Sequence, residues 1–239
     1  MFFKEINHYG DRGLIIDFGK ESTREVSQEI NLTFSFLKEL NLPVLNITPS
    51  FNKIVIYFKT PDNKDKSLKY LKIQFQKFQP SINSSKQKKW NIPACYEDPF
   101  ALDIEKIQKL HSLSKQEVID LHTNSIYYTY YIGFMPGFPY LGEVHKSLVS
   151  PRLKSPRVQI PARSVGIAKQ HTCIYPKVSP GGWNIIAQIP FDIFSLDHPR
   201  ASLFLPGDEV QFYAVTLKDF ESIQKHKLSL QDLIKEYSK

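Results

Sequence analysis

The sequence predicts an α+β fold: a small amino-terminal ββαββα domain, a β-rich second domain of sandwich or barrel type, and a short helical tail. Three observations lead there. The first eighty residues read as two successive strand–strand–helix sets. A polar run without apolar periodicity, QPSINSSKQKK (79–89), then interrupts the pattern. From Ile126 onward helical spacing disappears, and short β-prone runs alternate with Pro and Gly. The expected domains are residues 1–80 and 90–215, followed by a tail at 216–239.

Residues 2–7 and 14–18 read as short strands around the turn Tyr9-Gly10-Asp11. Ser22-Thr23-Arg24-Glu25 is a capping-box pattern, after which Val26, Ile30, Phe34 and Leu37 recur at helical spacing until Pro43 closes the helix. Residues 44–48 and 53–59 form a strand pair around Pro49-Ser50-Phe51-Asn52. Pro61-Asp62 opens a second helix, with Leu68, Leu71, Phe75 and Phe78 on one face. That order suggests helices packed on one face of an antiparallel sheet. After the polar run come a strand at 90–96 and two helices, the second opened by the capping box Ser114-Lys115-Gln116-Glu117 and ending near His122. Tyr127, Tyr128, Tyr130 and Tyr131 begin the β-rich part, and further strands are expected at 158–160, 164–168, 172–175, 183–188 and 209–215. Weakly amphipathic helices near 217–225 and 229–237 make the tail.

Hydrophobic residues at 41% and charged residues at 23% place the chain among globular proteins. No apolar run approaches the roughly 18 residues that span a bilayer, and MFFKEINHYG has no basic region ahead of an apolar one. A cytoplasmic protein with no membrane partner is expected. Cys95 and Cys173 provide neither a disulfide framework nor metal-ligand spacing, so no metal is expected. The net charge of +7 admits anionic partners. The lysines are dispersed, however, and zinc-finger spacing and the aromatic RNA-binding signature are both missing. A small anionic substrate is expected, and no nucleic acid.

Glycine and proline concentrate in a few places. Met135-Pro136-Gly137-Phe138, Ser179-Pro180-Gly181-Gly182 and Leu205-Pro206-Gly207-Asp208 share a type II turn grammar, with Pro second and Gly third. Around the first two there is more than a reversal needs. Phe134, Phe138 and Tyr140 interleave with glycines, and Gly181 and Gly182 present bare amides beside Trp183, a possible anion nest with a flat wall. Aromatic packing between turns remains the alternative on these residues alone.

Longer stretches resemble a known family. GFMPGFPYLGE (133–143), SPRLKSPR (150–157), IPARSVGIAKQHTCIYP (160–176), SPGGWNIIAQIP (179–190) and LPGD (205–208) are similar to the family of the 5-oxoprolinase B subunit. GDRGLIIDFG (10–19), IPACY (92–96) and VIDLHTNSIYYTYYIGF (118–134) fit it too. The family takes in the sporulation kinase inhibitor KipI and the subunit 1 type of allophanate hydrolase. The resemblance implies a cyclophilin-like β-barrel for the second domain. It also implies work with the A and C subunits of 5-oxoprolinase, opening 5-oxo-L-proline to L-glutamate at the expense of ATP shared with those partners. Alternatives within the family are inhibition of a sensor histidine kinase and membership of a biotin-dependent urea or allophanate carboxyltransferase-hydrolase. This sequence departs from the family pattern at Arg163, Lys169 and Cys173, where glycines are expected, at His171 in place of glutamine, and at Gln188. Arg163 either fills a pocket wall with charge or points to solvent.

No GxxxxGK[ST] cradle, HExxH or nucleophile elbow occurs. Opening a lactam through phosphorylation needs cationic stabilisation. Arg152, Arg157 and Lys177 are candidates, with solvated loop charges as the alternative. Arg157, His122 and His171 are the expected catalytic residues, the histidines as proton carriers, although a structural histidine at a helix end is equally open for His122. The expected substrate-binding residues are Tyr131, Phe134, Gly137, Phe138, Arg152, Ser164, Thr172, Tyr175, Ser179, Gly181, Gly182 and Trp183.

Overall fold

The computed structural model describes residues 5–19, 23–78 and 87–239, and the chain divides into two compact units, residues 1–86 and 87–239. Part of the strand expected at 2–7, Ser22 of the expected capping box and most of the polar run lie outside the described residues.

The first unit runs β1 (Glu5–Tyr9), β2 (Gly13–Asp17), α1 (Arg24–Glu39), β3 (Val44–Pro49), β4 (Lys53–Phe58) and α2 (Pro61–Lys77). The strands form an antiparallel sheet in the order β1-β2-β4-β3. Period-two alternation puts Leu14 and Ile16 of β2 and Ile54, Ile56 and Phe58 of β4 into one core with Ile30, Leu37, Leu71 and Phe75 of the helices. Thr23 caps α1, its Oγ1 accepting from the Val26 amide at 3.3 Å. Thr60 caps α2 in the same way, with Pro61 in the first turn where no amide is needed.

The second unit contains β5 (Lys89–Ala94), α3 (Ile104–His111), α4 (Lys115–Thr123), β6 (Ile126–Ile132), β7 (Pro139–Gly142), β8 (Arg157–Ile160), β9 (Ser164–Ala168), β10 (His171–Ile174), β11 (Ser179–Gly181), β12 (Asn184–Gln188), β13 (Glu209–Ala214), α5 (Leu217–Lys225) and α6 (Leu230–Tyr237). Seven strands pair in the order β12-β9-β10-β7-β6-β13-β5, all antiparallel except β13 with β5. The sheet curls until its two end strands meet: Cys95, just past β5, and Gln188 of β12 exchange backbone hydrogen bonds of 2.9 and 3.0 Å. Trp90, Tyr127, Leu141, Ile167, Ile186 and Phe212 of the sheet share a core with Ile104 and Ile107 of α3, Val118 of α4, and Leu230, Leu233 and Tyr237 of α6. The carboxy-terminal segment is therefore packed into this unit. The capping box of α4 forms as expected, Ser114 and Glu117 bonding each other's amides.

Two of the three proline–glycine turns follow their grammar. Gly137 has φ +80° and Gly207 has φ +96°, and Phe138 and Asp208 donate back to Met135 and Leu205 at 3.1 Å. The third does not. Gly181 keeps a φ outside the left-handed region, and Ser179–Gly181 is the strand β11, paired with β8 across a register shift. A distant strand there supplies the hydrogen bonds that a local turn would have supplied. The strand β7 was not expected, since its sequence PYLG lies inside the glycine-rich stretch.

Candidate functional site

A hollow of about 290 Å³ opens in the second unit where the two glycine–aromatic segments come together. Phe134 and Phe138 enter from one segment, and Pro180, Gly181, Gly182 and Trp183 from the other. Tyr140 on β7 and Tyr175 just past β10 complete the walls, and the loop before β8 adds Arg152 and Pro156. Period-two spacing where the chain enters β7 explains why Phe138, just before the strand, and Tyr140 reach the same side. The rings interlock edge to face: Phe138 lies 5.1 Å from Tyr175 and 6.0 Å from Trp183, and Tyr140 lies 5.9 Å from Trp183. Tyr131 stacks on Tyr140 at 4.4 Å and 11°. Phe134, at φ +68°, stands 63% exposed at the rim.

Glycine is required at two points of this frame. At Gly137 the positive φ coincides with the Phe194 side chain, whose Cβ and ring atoms lie 2.6–2.9 Å from where a Cβ would stand. At Gly181 a Cβ would meet the Tyr175 Oη and lie 2.7 Å from the Ile160 Cδ1. These residues are the direct reason for two of the glycines that cluster in the sequence.

Electrostatically the hollow carries one cation, Arg152, and tyrosine hydroxyls. No acidic side chain lines it. The Arg152 guanidinium stands 5.9 Å over the Trp183 ring, a cation–π distance. Burial pushes the Tyr131, Tyr140 and Tyr175 phenols up, against the pull of Arg152, so all three stay protonated at neutral pH.

Of the expected site residues, Phe134, Phe138, Arg152, Tyr175, Gly181, Gly182 and Trp183 line this hollow, while Gly137 and Tyr131 support it from behind. Ser179, on β11 next to it, is buried, and its hydroxyl has no hydrogen-bond partner. Other expected residues sit elsewhere. Arg157 is held by Asp103 through two 2.8 Å bonds, and Asp103 Oδ2 also accepts from the Ile185 amide at 2.7 Å. That pair ties the α3 N-terminus to β8 and β12. His122 and Thr172, read as separate candidates, form one buried chain: Tyr96 Oη to His122 Nδ1 at 2.6 Å, His122 Nε2 to Thr172 Oγ1 at 3.1 Å, and Thr172 Oγ1 to the Gly166 carbonyl at 3.1 Å. Thr172 spends its proton on Gly166, so His122 must donate from Nε2 and accept at Nδ1. It is the neutral tautomer, and burial holds its pKa down to about 3. A sealed, neutral ring with both nitrogens occupied lacks the access a proton carrier needs. His171 is also buried, edge-on to Tyr130 at 5.6 Å, with its pKa lowered to about 4 chiefly by burial. Ser164 is buried on β9, where its carbonyl accepts from the Tyr175 amide at 2.9 Å.

Tyr140, Pro156 and Pro180 were not among the expected binding residues. Tyr140 was visible as a ring among glycines. Pro180 was visible only as part of the SPGG motif and Pro156 only within SPRLKSPR, and neither pattern shows that the β8–β11 pairing brings both to the hollow.

Arg163 resolves differently from either expectation. It has φ +68°, as Lys169 has φ +51°, so both stand in the left-handed region that favours glycine. The Arg163 side chain does not enter the hollow. It donates to the Pro190 carbonyl at 3.4 Å, and the Gln224 amide, with its oxygen turned toward the guanidinium, accepts at 2.7 and 2.9 Å. Arg163 thus fastens α5 to the sheet.

Thr23, Thr60, Ser114, Thr216 and Ser229 each accept from one first-turn amide of a helix, and α3 begins at the ion-paired carboxylate Asp103. Among the described residues, no group of three or more His, Cys, Asp and Glu side chains is placed to hold a metal. No described helix is long and apolar enough to cross a membrane.

Comparison with known proteins agrees with this frame. The carboxyltransferase domain family, subdomains C and D, matches residues 4–204. The 5-oxoprolinase B subunit of Bacillus subtilis (strain 168) is 32% identical over 232 residues, spanning 92% of this chain and 97% of that protein. The Haemophilus influenzae protein of the same name is 39% identical over 121 residues, 51% of this chain and 57% of its own length. Among solved structures, TTHA0988 is 28% identical with a TM-score of 0.74 over 85% of this chain, which spans 40% of that longer one. The Kluyveromyces lactis urea amidolyase, at 19% identity and a TM-score of 0.75, covers 93% of this chain and 15% of its own, and shares the fold. A family match over most of the chain, joined to full-length similarity with the Bacillus protein, settles kinship: this chain is a member of the carboxyltransferase subdomain C and D family, to which the 5-oxoprolinase B subunit belongs.

Proposed function

We propose that the chain is the B subunit of an ATP-dependent 5-oxoprolinase and that its second unit is a cyclophilin-like barrel whose aromatic hollow takes the lactam. The observation that supports this most directly is the 32% identity to a 5-oxoprolinase B subunit across 97% of that protein. The hollow suits such a substrate: flat apolar walls for a five-membered ring, with the Arg152 guanidinium and tyrosine hydroxyls for its carbonyl and carboxylate oxygens.

In the overall reaction water adds at the lactam carbonyl carbon and the ring C–N bond breaks. The nitrogen takes a proton, and ATP hydrolysis drives the otherwise unfavourable opening. Among the described residues no histidine or carboxylate lines the hollow. In this reading ATP is shared with the A and C partners, and this chain binds and orients the lactam. The same reading makes the chain cytoplasmic, where ATP is available, and inactive by itself.

The test is reconstitution. The A and C subunits mixed with this chain are expected to form L-glutamate from 5-oxo-L-proline and ATP, and omission of any one component to abolish it. A stable three-component complex that makes no glutamate, beside an active control complex, overturns the proposal.

A further inference from the structure

The polar side chains of Tyr175 and Arg152 line the hollow, and one glycine packs against the hydroxyl of the first. Tyr175 is 1% exposed, yet its ring lines the hollow. Its hydroxyl lies where the Cβ of any residue other than glycine at 181 would stand, and that crowding is the closest of those found at Gly181. The Arg152 guanidinium above Trp183 is near enough for its charge to act on the Tyr175 phenol, and no described carboxylate pairs with Arg152. The Gly181 and Gly182 backbone borders the same space without side-chain shielding.

We propose that Tyr175 and Arg152 form a carboxylate subsite in the hollow, and that Gly181 is the positioning residue that leaves the Tyr175 hydroxyl room to face into it. This deepens the functional reading above and rests on it, naming which group of the lactam substrate this chain grips. A carboxylate set between a guanidinium and a phenol accepts two charge-assisted hydrogen bonds, which are shorter and stronger than neutral ones. Burial keeps the phenol protonated across the neutral range, so it serves as donor and does not repel the anion. The aromatic rings then fix the plane of the lactam. The glycine pair beside Trp183 thereby has a chemical role in addition to its geometric one.

The test is calorimetric titration of the full chain with 5-oxo-L-proline and with 2-pyrrolidinone, the same ring without the carboxylate. Wild type is expected to bind 5-oxoproline more tightly than 2-pyrrolidinone. Tyr175→Phe, which keeps the ring, is expected to weaken 5-oxoproline about 10- to 100-fold, the size of a lost hydrogen bond to a charged group, and to leave 2-pyrrolidinone unchanged. Gly181→Ala should reproduce that loss, and the double variant should lose no more than Tyr175→Phe alone. Equal affinity of wild type for the two ligands, or Tyr175→Phe binding 5-oxoproline as wild type does, overturns the subsite. Multiplying losses in the double variant overturn the positioning role of Gly181. Failure of the functional reading shows separately, as a wild-type complex with the A and C partners that makes no glutamate.

Discussion

His122 and His171 are buried as neutral rings, and burial without charge has a thermodynamic consequence. The folded pKa values are held down to about 3 and about 4, below the ordinary value of 6.5. Between those limits the unfolded chain binds protons that the folded chain refuses, so stability rises with pH there. Falling pH therefore costs stability from about 6.5 downward, levelling near 4 for His171 and near 3 for His122. At pH 5 each histidine removes about 2 kcal/mol relative to pH 7. The groups facing His171 are Tyr130, Glu143 and Lys169, and Glu143 opposes the shift while Lys169 adds to it. His171→Gln should recover about 2 kcal/mol of the loss between pH 7 and pH 5, measured by urea unfolding at both pH values. An unchanged pH dependence in that variant would mean the ring is protonated in the fold. Little of this was legible in the residues. His122 and Thr172 are 50 positions apart, and nothing in a linear pattern shows that one hydroxyl spends its proton on Gly166 and so fixes the tautomer of the other ring.

At the scale of elements, what local chemistry decides was readable and what a distant partner decides was not. The capping box of α4, Pro61 at the head of α2 and the two turns with glycine at φ +80° and +96° all follow from neighbours within four residues. SPGG carries the same grammar and became β11, because β8 lies alongside it. The two true turns also differ in a way that can be measured. Alanine at 207 would meet nothing nearer than the flexible Gln87 side chain, at 3.4 Å, with the Tyr128 hydroxyl in ordinary contact at 3.9 Å, whereas alanine at 137 would strike the Phe194 side chain. Gly207→Ala should cost about 1–2 kcal/mol, the left-handed backbone penalty alone. Gly137→Ala should cost about 1–3 kcal/mol more, from forced movement of a packed ring. Equal losses in denaturant melts would show that Phe194 yields freely. The 205–208 turn also delivers Asp208, buried, whose carboxylate accepts from Trp90 Nε1 at 2.9 Å, from the Leu205 amide at 2.9 Å, from the Lys88 amide at 3.1 Å and from Arg200 at 3.1 Å. A motif that reads as a plain reversal is thus the anchor of β5 and β13. Asp208→Ala strands Arg200 and three donors, and about 3 kcal/mol or more should be lost; a loss under about 1 kcal/mol would mean that water replaces the carboxylate.

Across the molecule each unit has its own core, and the second faces a problem that its strand order creates. Curling brings β12 to β5, and among the described residues the backbone bonds between Cys95 and Gln188 close the seam. The outer edge of β5 would otherwise present unpaired amides and carbonyls, a template for pairing with another chain. The carboxy-terminal segment covers it. Lys239 and Lys89 exchange backbone bonds of 3.1 and 2.8 Å, Ser238 bridges Trp90, and α6 buries Leu230, Leu233 and Tyr237 in the core beneath. Helical periodicity revealed that residues 229–237 have an apolar face, but periodicity does not say what the face packs against, so the segment looked like an appended tail. Burying three such side chains contributes roughly 1.5–3 kcal/mol apiece. Deleting residues 229–239 should therefore lower the midpoint of thermal unfolding and, by uncovering β5, drive self-association in light scattering. The two effects are separable: Leu233→Ala should reproduce part of the stability loss, about 2–5 kcal/mol, while leaving the edge covered and the protein no more associated than wild type. If the deletion associates no more than Leu233→Ala, the covering of β5 is not what keeps this sheet from pairing with its neighbours.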